Sequence, residues 1–148
     1  MAGNILLVDD DSSMRHICSL SLKKQGYNIF TASNALIAKD ILRKNKIDLI
    51  ILDIMMPHTD GITFLERLRL AGNDTQVIII TGNKEINISD LDVYDIMYKP
   101  FSLRELRTNV THAINDAIYL NRNRASFMRK IQRAKHTVSK LSALAAIA

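Results

Sequence analysis

Four charged or hydroxyl-bearing positions close apolar runs of this chain, and their types suit the handling of a phosphoryl group. Ile5-Leu6-Leu7-Val8 ends in Asp9-Asp10-Asp11, the run over 47–52 ends in Asp53, Val77-Ile78-Ile79-Ile80 ends in Thr81-Gly82, and the run over 93–98 ends in Lys99-Pro100-Phe101. Carboxylates brought together raise one another's pKa unless a cation neutralises them. Mg2+ is the natural choice, a hard ion that takes a few carboxylates and phosphate oxygens as ligands. One carboxylate can then attack phosphorus while a lysine supplies a second positive charge and a hydroxyl binds a phosphoryl oxygen. Singly, each run has a plainer reading. The three aspartates can cap a helix, Asp53 can be a turn residue, and Lys99-Pro100-Phe101 can be a helix entry. The ordered set carries the argument, with Asp11 left as a surface or capping residue.

The elements that must position these residues follow from apolar patterning. Runs of four to six apolar residues bounded by turn formers read as buried strands, the one over 47–52 most clearly, since both faces of a parallel strand are covered. Strands are expected over 5–8, 27–31, 47–52, 77–80 and 93–98, although Asp95 within the last fits only an edge strand. Ser12 or Ser13 is expected to cap a first helix whose Met14, Ile17, Cys18 and Leu22 share a face, and Gly26 to close it. Asn34 is expected to cap a second helix, and a turn through Pro57, Asp60 and Gly61 to lead into a third. Ser102 and Glu105 have capping-box spacing ahead of a last, long helix. Strands alternating with helices imply an α/β protein built on an open parallel sheet, with ligands bound beyond the carboxyl ends of its strands.

Charge divides the chain. Residues 1–118 carry 13 Lys+Arg against 15 Asp+Glu, whereas 119–148 carry seven Lys+Arg and no acid. The net charge of +5 therefore belongs to the tail. Cys18 is the only cysteine, which excludes an internal disulfide and suits a reducing, cytoplasmic setting. Met1-Ala2-Gly3-Asn4 leads straight into an expected strand, so no secretory signal is expected, and no run approaches the roughly 18–20 apolar residues of a membrane span.

The residues at the strand ends resemble the receiver domain of bacterial two-component response regulators over about residues 4–118. The resemblance implies a flavodoxin-like, doubly wound, five-stranded parallel sheet of order 2-1-3-4-5 with an extended C-terminal helix. It implies that Asp53 is the phosphoacceptor, followed by the Met-Pro-x-x-Asp-Gly pattern at Met56, Pro57, Asp60 and Gly61. Mg2+ would be held by Asp9, Asp10, Asp53 and the main-chain carbonyl of Met55, with Asp10 the closer ligand and Asp9 acting mostly through water. Thr81 would be the switch hydroxyl and Lys99 the phosphoryl-binding lysine, before a cis Pro100. Such a protein takes its phosphoryl group from a histidine kinase or phosphotransfer protein. It is a phosphoacceptor assisting its own modification and not an independent enzyme.

Two departures from the family pattern stand out. The aromatic residue expected three before the lysine is Ile96, flanked but not replaced by Tyr94 and Tyr98. The stretch between Thr81 and Lys99 is short, and Asn87-Ile88-Ser89-Asp90 forms helix poorly, so the fourth helix is expected to be stunted. Met55 and Asn83 stand beside the attacking water in the family, and an apolar Met55 cannot orient it, which implies slow spontaneous loss of the phosphoryl group.

From Leu103 to Ala148 an unbroken 3-4 spacing of mostly apolar residues runs through Leu120, Phe127, Ile131, Val138 and Leu141, interrupted by Arg124. That is coiled-coil spacing, and a helix of this length, on the order of 70 Å, outreaches a small sheet. The division expected is a receiver domain over 1–118 and a basic helical extension over 119–148. A homodimer through the fifth helix and tail, acting on an unidentified downstream protein, is the partner reading. A receiver-fold assembly adaptor and a nucleic-acid-binding regulator working through the basic tail are the alternatives. Nucleic acid ranks below the dimer because basic residues beside a seam are usually a solvated face. His112 and His136 lack a Cys or second His at metal-ligand spacing and read as surface residues, and His16 on the first helix and His58 beside the expected site entrance read as incidental.

Overall fold

The structure is a computed structural model that describes residues 2–57, 59–87 and 90–147. His58, Ile88 and Ser89 lie outside the described residues, as does Ala148 at the end of the seam. Five parallel strands form one sheet: β1 (Asn4–Val8), β2 (Asn28–Ala32), β3 (Leu49–Asp53), β4 (Gln76–Thr81) and β5 (Asp95–Tyr98). Their order is β2-β1-β3-β4-β5, as the resemblance implied. Four helices are present among the described residues: α1 (Ser12–Lys23), α2 (Ala35–Lys44), α3 (Gly61–Leu70) and α4 (Leu103–Ile147).

The central strands are apolar on both faces because both faces are covered. Leu6, Val8, Ile50, Leu52, Val77 and Ile79 point to one side, into a core with Ala38 of α2 and Phe64 and Leu65 of α3. Their alternates Ile5, Leu7, Leu49, Ile51, Ile78 and Ile80 face the other way and are also fully buried. On α4, Leu106, Val110, Ala113 and Ile114 are buried, and Tyr27 meets Thr111 across a 3.2 Å hydrogen bond. Residues 1–115 form one compact unit and 116–148 a second.

Local chemistry sets the helix ends. Asp11, not Ser12 or Ser13, is the N-cap of α1: its Oδ1 accepts from the Ser13 and Met14 N–H groups at 2.9 and 3.1 Å. A carboxylate is the better partner for these unpaired donors because it also opposes the helix dipole. Gly26, at φ +89°, closes the helix in the left-handed region. Asn34 caps α2 through Ile37 N–H at 2.9 Å, and Ser102 Oγ accepts from Glu105 N–H at 3.0 Å. Between β3 and α3, Met55–Met56 and Thr59–Asp60 pair as a short antiparallel ladder where the sequence suggested only a tight turn.

The connection from β4 to β5 differs from the regular alternation of strand and helix. It contains no helix among its described residues, in keeping with the weak helix formers there. Arg69, at the end of α3, fastens this connection. Its guanidinium donates to the carbonyls of Asn73 and Thr75 at 2.9 Å each and of Asp92 at 2.8 Å. Ile86, Leu91, Val93 and Ile96 complete it by packing on the core. β5 starts at Asp95 rather than at Val93 and is an edge strand, so Asp95 stays exposed and accepts from the Asn109 side chain at 3.1 Å.

Candidate functional site

Parallel strands place their carboxyl ends side by side, and register decides which residues meet. Val8 lies beside Leu52, Asp53 beside Ile80, and Thr81 beside Tyr98. Asp9, Asp53, Thr81 and Lys99 therefore emerge along one sheet edge. Asp9 and Asp53 are 1% and 4% exposed and Thr81 1%, so three polar side chains are buried together, while Asp10 beside them is exposed. The carboxylates of Asp9, Asp10 and Asp53 each offer an oxygen within 4.8 Å of the others. Lys99 reaches the same place, with Nζ 3.0 Å from Asp53 Oδ2 and 3.4 Å from Asp9 Oδ2. The peptide bond after Lys99 is cis, as the resemblance implied.

Backbone groups orient the carboxylates. Asp53 Oδ1 accepts from Met55 N–H at 2.9 Å, and Asp9 Oδ1 from Asp11 N–H at 2.8 Å. Thr81 Oγ1 accepts from Asn83 N–H at 3.0 Å, which leaves its own proton available for another acceptor. Pro57 and Gly61 bound the turn beyond Asp53. Gly61 N–H donates to Ile54 O at 3.3 Å, and a Cβ at this position would stand 2.5 Å from Ile54 Cα and 2.8 Å from Asp53 O. Only glycine lets the two backbones approach so closely. Sequence reasoning missed Arg15, whose guanidinium donates to Asp9 O at 2.6 Å. It reaches back across the turn before α1, and no spacing rule marks such a contact.

Burial dominates the electrostatics. It pushes the Asp9 carboxyl above its ordinary pKa, and the Asp53 charge pushes the same way, against the Asp11 N–H and Lys99. Lys99 moves upward despite partial burial, because the hydrogen bond and charge of Asp53, with help from Asp9, outweigh desolvation. The Cys18 thiol, buried on α1, is pushed up to about 11 by burial and then by Asp9, so it is an inert core residue. A raised carboxyl pKa means that Asp9 stabilises the fold when protonated and that this contribution is lost as pH rises through the folded value. Asp9→Asn should therefore raise Tm by a few degrees at neutral pH without divalent cations. The gap over wild type should close as pH falls below the ordinary carboxylate range, which thermal melts across pH 3.5–8 will show.

Oxygen donors from three carboxylates, with the Lys99 ammonium beside them and the Arg15 guanidinium on the Asp9 carbonyl, are the donor set that a hard divalent ion takes. The response regulator receiver domain family matches residues 5–111. The chain belongs to that family. Among relatives of this receiver, sporulation initiation phosphotransferase F of Bacillus subtilis is 35% identical over 114 residues, covering 74% of this chain and 92% of that protein. Response regulator MprA of Mycobacterium sp. (strain KMS) is 34% identical over 110 residues, covering 72% of this chain. The chain spans about half, 48%, of MprA's length. Response regulator TrrA of Thermotoga maritima, solved in complex with Mg2+-BeF, superposes with a TM-score of 0.68 at 29% identity, covering 75% of this chain and 98% of that one. The family match ends at residue 111, within α4. No described helix is long and apolar enough to cross a membrane.

Proposed function

We propose that this receiver is a phosphorylation-activated switch of a two-component phosphorelay, with Asp53 accepting a phosphoryl group from a histidine kinase or phosphotransfer protein. The observation that carries the reading is the buried Asp53 carboxylate, held by Met55 N–H and faced by Asp9, Asp10 and Lys99. A carboxylate oxygen of Asp53 attacks phosphorus and forms the O–P bond. The P–N bond to the donor imidazole breaks, its electron pair stays on nitrogen, and that nitrogen takes up a proton. Asp9, Asp10, Asp53 and the Met55 carbonyl are the groups that would hold Mg2+. When bound, the ion neutralises the clustered carboxylates and draws charge from the phosphoryl oxygens. Lys99 follows the negative charge from carboxylate to phosphoryl group, and the Thr81 hydroxyl donates its free proton to a phosphoryl oxygen.

Ile96, partly buried on the core, cannot swing as an aromatic switch residue does. Output in this reading passes through Thr81, Lys99 and α4, ending in homodimerisation along the seam, where Leu120, Phe127, Val138 and Leu141 are all more than half exposed. Met55 is 57% exposed and apolar, so it gives water no hydrogen bond for hydrolysis and the phosphoryl group is lost slowly. The protein acts as a switch and not as an independent enzyme. A single buried thiol fits a cytoplasmic, reducing setting.

Beryllofluoride with Mg2+ tests the proposal. Fluorine NMR of the full chain should show a bound species that requires Mg2+ and disappears in Asp53→Ala. Sedimentation of the same samples should show the dimer fraction rising with beryllofluoride. Binding that survives Asp53→Ala rejects the site, and an unchanged dimer fraction rejects the output.

A further inference from the structure

The second compact unit lies within α4 and has no acidic residue after Asp116. Beyond Asp116 its charged side chains are seven Lys and Arg, so positive charge along this helix is not interleaved with negative charge as it is on most exposed helices. At 3.6 residues per turn, Leu120, Phe127, Ile131, Val138 and Leu141 share one side. Arg122, Arg129, Arg133 and Lys140, all exposed, fall within about 40° of the opposite side and form a line about 27 Å long.

This opposition sorts the anionic partners. A helix resting on an anionic bilayer carries its cations beside the apolar face, so that both reach the interface. Here the line would point to water, and Arg124 would be driven into the acyl chains. An acidic helix paired along the seam would meet cations at the flanking positions, where only Lys130 and Lys135 stand, about 60–80° from the seam centre. Between 122 and 140 no large apolar side chain shares this side, Leu144 and Ile147 reaching it only beyond Lys140, and a straight row of mostly guanidinium groups instead suits a regularly charged polyanion, because arginine's fork pairs with phosphate oxygens.

We infer that the outer row Arg122, Arg129, Arg133 and Lys140 docks the phosphate backbone of nucleic acid without reading its bases, leaving the opposite seam to a second copy of the helix. The inference is independent of the chemistry at Asp53.

Fluorescence anisotropy of the full chain with a labelled duplex oligonucleotide of arbitrary sequence tests it. Four phosphate contacts weaken binding by about two decades in Kd between roughly 50 and 200 mM salt. Two double variants matched in charge then separate the faces. Arg129→Gln with Arg133→Gln should weaken binding about tenfold or more, and Lys130→Gln with Lys135→Gln less than about threefold. Glutamine keeps the helix, which circular dichroism verifies. Absent or salt-insensitive binding, equal losses in the two pairs, or capture by phosphatidylserine vesicles but not by the duplex would each overturn the inference.

Discussion

Asp53→Asn should take up no label from radiolabelled acetyl phosphate under conditions in which the wild-type chain is modified, a loss of at least about a thousandfold. An amide at this position has neither the charge nor the nucleophilic oxygen that attack on phosphorus requires. The substitution is nearly isosteric, so the Met55 N–H keeps an oxygen acceptor and the fold persists. The buried cluster instead loses one negative charge, which relieves Asp9 and weakens the hold on Lys99 at 3.0 Å. Melting temperature without divalent cations should therefore stay level or rise while labelling vanishes. Opposite movement of stability and labelling separates a reactive residue from a structural one. Label retained in the variant would place the acceptor elsewhere, and treatment with hydroxylamine, which cleaves acyl phosphates, would show whether it is still a carboxylate.

The sequence was informative where one element decides the outcome. Short apolar runs such as 77–80 and 47–52, the latter interrupted only by Asp48, read as buried strands, and strand ends on a parallel sheet converge whatever the loops between them do. Asp9, Asp53, Thr81 and Lys99 could therefore be placed together before any coordinates, as could Asn34 at its cap. What escaped notice depends on contacts between segments distant along the chain. Arg69 looked like one more charge at the end of a helix, yet it binds three carbonyls and holds the β4–β5 connection down. Asp11, read as surface or cap, took the capping role from its serine neighbours because a carboxylate competes better for two N–H groups. Strand limits moved by one or two residues because the ladder, not the apolar run, sets them.

Gly61→Ala should cost about 1–3 kcal/mol and lower Tm by about 5–10 °C, and it should damage the site more than that loss implies. The added methyl meets main chain: Ile54 Cα at 2.5 Å and Asp53 O at 2.8 Å, with Ile54 Cβ at 3.1 Å. None of these is the far end of a flexible side chain, so relief comes only from shifting the 53–54 backbone. That shift moves the very residue that Met55 N–H and Lys99 hold in place. Two other glycines provide the contrast. Gly26 stands at φ +89° in open space, so Gly26→Ala costs about 1–2 kcal/mol of backbone strain far from the carboxylates. Gly82 has open space and no positive φ, so Gly82→Ala should be tolerated. Measured side by side, Gly26→Ala should lower Tm and leave beryllofluoride affinity intact, whereas Gly61→Ala should lower Tm and weaken beryllofluoride about tenfold or more. Equal affinities in the two variants would mean that the close approach at Gly61 supports the fold but does not position Asp53.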